Sequence, residues 1–184
     1  MLAVKLNESR YEYDIHSIVK AFYPAETVKV FVEGTKALES DGENPELDIA
    51  FGKEEITASL SGEKETIHLS RPDDKGEVKN ELKRLLYRLL SARTGKSLPW
   101  GTLTGIRPAK IAMQLLEAGE SEDAIRSFMK ETYYCSEEKA DLAIDIACRE
   151  KEILKGIHYE EGYSLYIGIP FCPTTCLYCS FTSF

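Results

Sequence analysis

Three cysteines fall within eight residues in the stretch "FCPTTCLYC": Cys172, Cys176 and Cys179, spaced C-x3-C-x2-C. Thiolates are soft ligands that bind iron well and lose their protons readily on a metal. An iron–sulfur cluster of four irons closed by protein alone takes four such ligands. Three on one short loop hold three irons and leave the fourth iron open to an external ligand, much as an open position on zinc marks a catalytic site. Residue types alone leave other readings standing. A zinc site asks for a fourth ligand, and His16, His68 and His158 stand at no familiar zinc-motif spacing. Cys135 or Cys148 could complete a four-cysteine set, although both fall on or beside a predicted helix. Three unligated thiols are the plainest alternative. Cys148 follows a stripe of small residues and reads as a buried, inert side chain, while Cys135 has no assigned role.

The composition narrows the setting. With 184 residues, the chain suits one domain, or one domain with part of another. Its 43% apolar content supports a core and its 29% charged content a solvated surface. No apolar run approaches the roughly 20 residues that span a bilayer, and "MLAVKLNESRYEYD" turns acidic too soon for a secretory signal. A cytoplasmic location with reduced thiols is the expectation, with no membrane association. The net charge of −8 argues against nucleic acid as a partner. That charge is uneven: Glu33 to Glu65 carries ten acids against three bases, and Lys75 to Lys110 nine bases against two acids.

The elements that must position the cysteines follow from periodicity. "LAVKL" and "TVKVFVEG" read as strands on either side of a helix over Arg10 to Phe22, which Pro24 forbids from continuing. "ESDGENPE" is a loop, and "LDIAFG", "EITASL" and "ETIHLS" are three short strands set apart by tight turns. Residues 1–72 are therefore expected to form an α+β region with a small, mostly antiparallel sheet. Residues 73–160 read as helical. The first helix starts at Lys75 behind Asp73 or Asp74 and ends near Gly95; the others span Pro108 to Ala118, Ser121 to Glu131 and Ser136 to Leu154. "KSLPWGTLTGIRP" joins the first two. It lacks the spacing of a phosphate-binding loop and reads as a structural linker with Trp100 packed beneath it. In residues 161–184, "GYSLYIGIPFC" alternates like a strand ended by Pro170, and the cysteines lie on the loop that leaves it.

Here the residues carry a family likeness. "YIGIPFCPTTCLYCSF" resembles the cluster loop of the radical S-adenosylmethionine superfamily, in the branch that contains oxygen-independent coproporphyrinogen III oxidase. "LPWGTLTGIRPAK" is similar to the corresponding loop of HemZ-like coproporphyrinogen dehydrogenases, which carry an extra N-terminal region. The resemblance implies that Cys172, Cys176 and Cys179 ligate a [4Fe–4S] cluster whose open iron chelates S-adenosyl-L-methionine. Tyr166 and Tyr178 are the implied cofactor-binding residues, the second lying along the adenine. The implied reaction is oxidative decarboxylation of coproporphyrinogen III propionates to vinyl groups in haem biosynthesis. It makes a tetrapyrrole the substrate and needs an electron donor that the residues do not identify. The cofactor supplies the difficult chemistry and the protein orients it.

Two positions depart from the oxidase pattern. Gly168 stands where those oxidases have histidine, and Phe181 where they have a further cysteine. Haem chaperones of the same superfamily also lack that cysteine, which makes a haem-binding chaperone the second reading. The resemblance further implies a truncated (β/α)6 barrel, of which this chain holds the first strand and the cluster loop, so the 184 residues alone are expected to lack turnover. The basic segment admits two readings. It is a solvated helix face, or Lys79, Lys83 and Arg107 draw in an anionic tetrapyrrole.

Overall fold

The computed structural model describes residues 1–34, 46–157, 161–163, 165–168, 172 and 174–179. The loop expected over residues 39–46 lies almost wholly outside them. The chain divides into two compact units, Met1–Arg149 and Glu150–Phe184.

In the first unit, strand β1 (Leu2–Leu6) leads into helix α1 (Glu12–Phe22) and strand β2 (Val28–Val32). Strands β3 (Leu47–Phe51), β4 (Glu55–Leu60) and β5 (Glu63–His68) follow. Five described strands make one sheet in the order β2-β1-β3-β4-β5, so β2 and β5 are its outer strands. The sheet is mixed rather than mostly antiparallel. β1 runs parallel to both β2 and β3, while β4 pairs antiparallel with β3 and β5. The correction has a physical source. Tight turns dictate the β3–β4–β5 meander, whereas parallel neighbours are set by crossover connections such as α1, which alternation within a strand does not encode.

Side chains alternate across the strands, so one face is apolar. Val4 lies opposite Leu47, which lies opposite Leu60; Leu6, Ile49 and Ala58 form the next row, and all six are buried. Helix α1 lays Ile15, Ile18, Val19 and Phe22 into the same core. Helix α2 (Lys75–Thr94) adds Val78, Leu82, Leu85, Leu86, Leu89 and Leu90. Burying each such leucine contributes about 2 kcal/mol. The Asp74 carboxylate caps α2 by accepting from the backbone N–H groups of Gly76 at 3.0 Å and Glu77 at 3.1 Å. Gly95 ends the helix in the left-handed region, as its position foretold.

A second cluster forms among helices α3 (Pro108–Glu117), α4 (Glu122–Tyr133) and α5 (Glu137–Leu154). Its buried members are mostly small, with Ala112, Ala140, Ala143 and Ala147 beside Ile125, Met129 and Ile144. The linker docks onto the turn between α4 and α5. Thr102 donates its N–H to the Tyr133 carbonyl at 2.7 Å, and Ser136 donates to the Pro99 carbonyl at 2.9 Å. Gly101 has φ +56°, and a Cβ there would sit 1.9 Å from the Tyr133 oxygen. Trp100 packs against this cluster, as expected of it.

The basic helix is a solvated face only in part: Lys75 and Arg93 are exposed and Arg84 pairs with Glu81 as their spacing suggests, but others of its cations are held by partners. Lys83 is only 7% exposed. Its Nζ lies 3.2 Å from Asp14 of α1 and donates to Thr104 Oγ1 at 2.9 Å. Lys79 faces the same carboxylate at 3.8 Å. Arg84 pairs with Glu77 and Glu81 and donates to the Thr132 carbonyl, and Arg88 pairs with Glu65 and Tyr134. These partners come from other elements as well as from α2, so the charge run cannot disclose them. Arg107, at the N-cap of α3, is exposed.

Two stability tests follow. Gly101→Ala should cost about 2–4 kcal/mol, because left-handed strain adds to a backbone collision. Gly95→Ala, with open space around its φ of +67°, should cost only about 1–2 kcal/mol. Equal shifts of the two urea midpoints would rule out the collision. Asp14→Asn should destabilise more than Lys83→Met, by about 2–3 against 1–2 kcal/mol, since it leaves the more buried charge without its main partner. Losses below about 0.5 kcal/mol in both would mean that the pair is merely a surface contact.

Candidate cofactor-binding loop

The second unit holds all three cysteines of the C-x3-C-x2-C run. Cys172 and Cys176 are exposed and Cys179 is half-buried, and each is a free thiol. Cys179 donates its backbone N–H to the Cys176 carbonyl at 3.0 Å. This bond closes a turn with Leu177 and Tyr178 at its tip, both almost fully exposed. As donors the thiols fit an iron–sulfur group: they are soft, accessible and not consumed in disulfides. Among the described residues, however, no three His, Cys, Asp or Glu side chains are gathered to hold a metal ion. The same observation leaves the zinc reading without a formed site there. His158 lies outside the described residues.

Tyr166 is 91% exposed. A Cβ on Gly168 would come within 2.8 Å of its ring, which shows that the ring leans back over position 168. The strand expected over Tyr163 to Ile169 is not formed among its described residues, 163 and 165–168. Tyr163, Leu165, Tyr166 and Ile167 are all exposed, and no described strand pairs with them. Alternation supplies a strand's two faces, but only a neighbouring strand supplies its ladder. Ile169, Pro170 and Phe181 lie outside the described residues.

The remaining cysteines are in the first unit and behave differently. Cys135 is buried, its Sγ lies 3.4 Å from the Trp100 carbonyl, and burial pushes its thiol up to about 11. Cys148 is half-buried rather than fully buried, with Sγ 3.8 Å from Glu122 Oε1. Two open grooves have no counterpart among the sequence motifs. One, of about 580 Å³, is lined by Ser9, Tyr11, Asp14 and His16 among others; the second, of about 640 Å³, lies between Arg10, Lys53 and Lys75. The first sets Val30 of β2 beside residues 9–16 and the second joins residues 10–11, 52–54 and 72–75, so no single stretch of sequence announces either. Near pH 8 and without air, a small alkylating agent should modify Cys172 and Cys176 at least about tenfold faster than Cys135. Comparable rates by mass spectrometry would contradict this placement.

No helix among the described residues is long and apolar enough to cross a membrane. No family model matches the chain, and no solved structure matches it. The chain is 38% identical over 109 residues to the oxygen-independent coproporphyrinogen-III oxidase-like protein HemZ of Bacillus subtilis (strain 168). The match takes in 59% of this chain and 22% of that protein, so the chain spans about a fifth of its relative's length. Over those residues the chain is similar to a coproporphyrinogen-oxidase-like protein.

Proposed function

We propose that the chain is the N-terminal part of a radical S-adenosylmethionine oxidoreductase that acts on a tetrapyrrole of the coproporphyrinogen type, in haem formation. The observation that carries the reading is the run of three free thiols at C-x3-C-x2-C, in a chain 38% identical over 109 residues to a protein named as coproporphyrinogen-III oxidase-like. Cys172, Cys176 and Cys179 would hold the [4Fe–4S] cluster. When bound, that cluster with S-adenosyl-L-methionine supplies the one-electron cleavage that starts hydrogen abstraction. The protein's own part is to bind and orient. Tyr178, beside the last ligand, offers an aromatic face for an adenine, and Tyr166 offers a ring and a hydroxyl upstream of the first ligand. The electron donor is a separate partner. On this reading the 184 residues alone do not turn over.

The basic helix adds no separate support. Lys79 and Lys83 are held by Asp14, so a tetrapyrrole's propionates would find Arg107 and Lys110 exposed there instead.

Full-length protein, reconstituted without air with iron and sulfide, should show the paramagnetic signal of a reduced [4Fe–4S] cluster. Replacing any one of Cys172, Cys176 or Cys179 with alanine should remove at least about nine-tenths of it. A protein that refuses iron yet holds tetrahedral zinc tightly would overturn the proposal. Product analysis with coproporphyrinogen III, set beside a haem titration, then separates an oxidase from a haem-binding chaperone. Vinyl products support the first, and tight haem binding without them the second.

A further inference from the structure

Three cations from separate parts of the first unit line one groove of about 640 Å³: Arg10 ahead of α1, Lys53 in the β3–β4 turn and Lys75 at the start of α2. All three are exposed. Arg10 has Glu8 at 3.2 Å, but among the described residues neither the Lys53 nor the Lys75 ammonium has an ion-pair or hydrogen-bond partner. That sets them apart from Lys83, Arg84 and Arg88, whose charge is met within the fold. The backbone beneath the groove is cross-tied. Asn7 exchanges two side-chain hydrogen bonds with the Phe51 backbone, each 2.9 Å, and so joins the end of β1 to the end of β3. Gly52 donates to the Glu55 carbonyl at 2.9 Å and closes the turn that carries Lys53, while Leu69 donates to the Glu54 carbonyl at 2.8 Å. Tyr11 donates its hydroxyl to the Lys75 carbonyl at 3.1 Å, and its own backbone stands in the left-handed region at φ +60°. A tyrosine adopts that conformation only where its surroundings fix it. The cations therefore sit on loops that are already ordered, and a ligand between them meets little further ordering cost.

We infer that this groove binds a small anion bearing two or more phosphate or carboxylate groups. Charge selects the sign. Cations gathered in one groove repel one another, and an anion between them relieves that repulsion. The volume falls in the ordinary range of small-molecule sites and exceeds what a single phosphate group needs. The chain's acidity narrows the class further. At a net charge of −8, with Glu54 and Asp73 lining the same groove, an extended polyanion such as nucleic acid would meet repulsion along its length. A compact anion can lie against the cations alone. The two acids should hold its affinity in the region of about 0.1–1 mM. The site belongs to the first unit, and neither it nor its test depends on the cluster reading above.

The test is a titration of the ¹⁵N-labelled 184-residue chain with inorganic pyrophosphate, and separately with citrate, followed by amide NMR in about 100 mM NaCl to screen loose surface contacts. Shifts should saturate and centre on residues 10–11, 52–54 and 73–75. Tighter binding of pyrophosphate names phosphate as the group recognised, tighter binding of citrate names carboxylate, and either supports the site. Lys53→Glu combined with Lys75→Glu should weaken binding at least about tenfold, whereas Lys64→Glu on β5 should change it less than about twofold. Glu54→Gln combined with Asp73→Asn keeps every cation and should tighten binding about three- to tenfold, a gain that misfolding cannot produce. Shifts that grow without saturating (an adventitious ion only), undiminished affinity in the double lysine variant, or no gain in the double acid variant would each overturn the inference.

Discussion

The first unit depends on a place where two stretches of backbone nearly touch. The Tyr133 carbonyl occupies the space that any side chain at position 101 would need. Because glycine is there, the linker lies directly on the α4–α5 turn and exchanges hydrogen bonds with it from Pro99 to Thr102. Those bonds tie the small-residue helical cluster to the chain segment that leaves the sheet core. Tyr87 continues the tie: its ring meets Phe22 on one side and Tyr134 on the other, and its hydroxyl accepts from the Leu98 N–H. Moving the linker outward by the width of a methyl group would break all of these at once, since packed interiors give little.

Charge follows the same plan. The nine bases between Lys75 and Lys110 look, in one dimension, like a field awaiting an anion. In three dimensions Lys83 and Arg84 sit low on α2, where burial without a partner would be costly, and each has found carboxylates or carbonyls. Helix α2 is thus clamped to α1, β5 and the last turn of α4 by its cations as well as by its leucines. The overall acidity of the chain coexists with this because most of the surplus acids are exposed.

Much of the framework is legible in the sequence. Helix limits come from Asp74, Gly95, Pro108 and Ser121, whose chemistry acts locally. The meander of β3 to β5 is legible for the same reason. The parallel placement of β1 between β2 and β3 is not, since it depends on long connections. Lys83 reads as a surface residue because its partner Asp14 is far away in sequence. The cysteines are legible as a set by type and spacing alone, yet the turn that joins two of them appears only in the backbone hydrogen bonds. The strand expected ahead of them shows the limit of alternation, which describes a surface without naming what covers it.

On β5, an outer strand among the described five, Glu63, Lys64, Glu65 and His68 set ionisable side chains along the rim, a usual defence against another chain adding itself as an extra strand. Copies of the molecule meeting along that side would have to strip water from those groups before any backbone ladder could pass from one to the next.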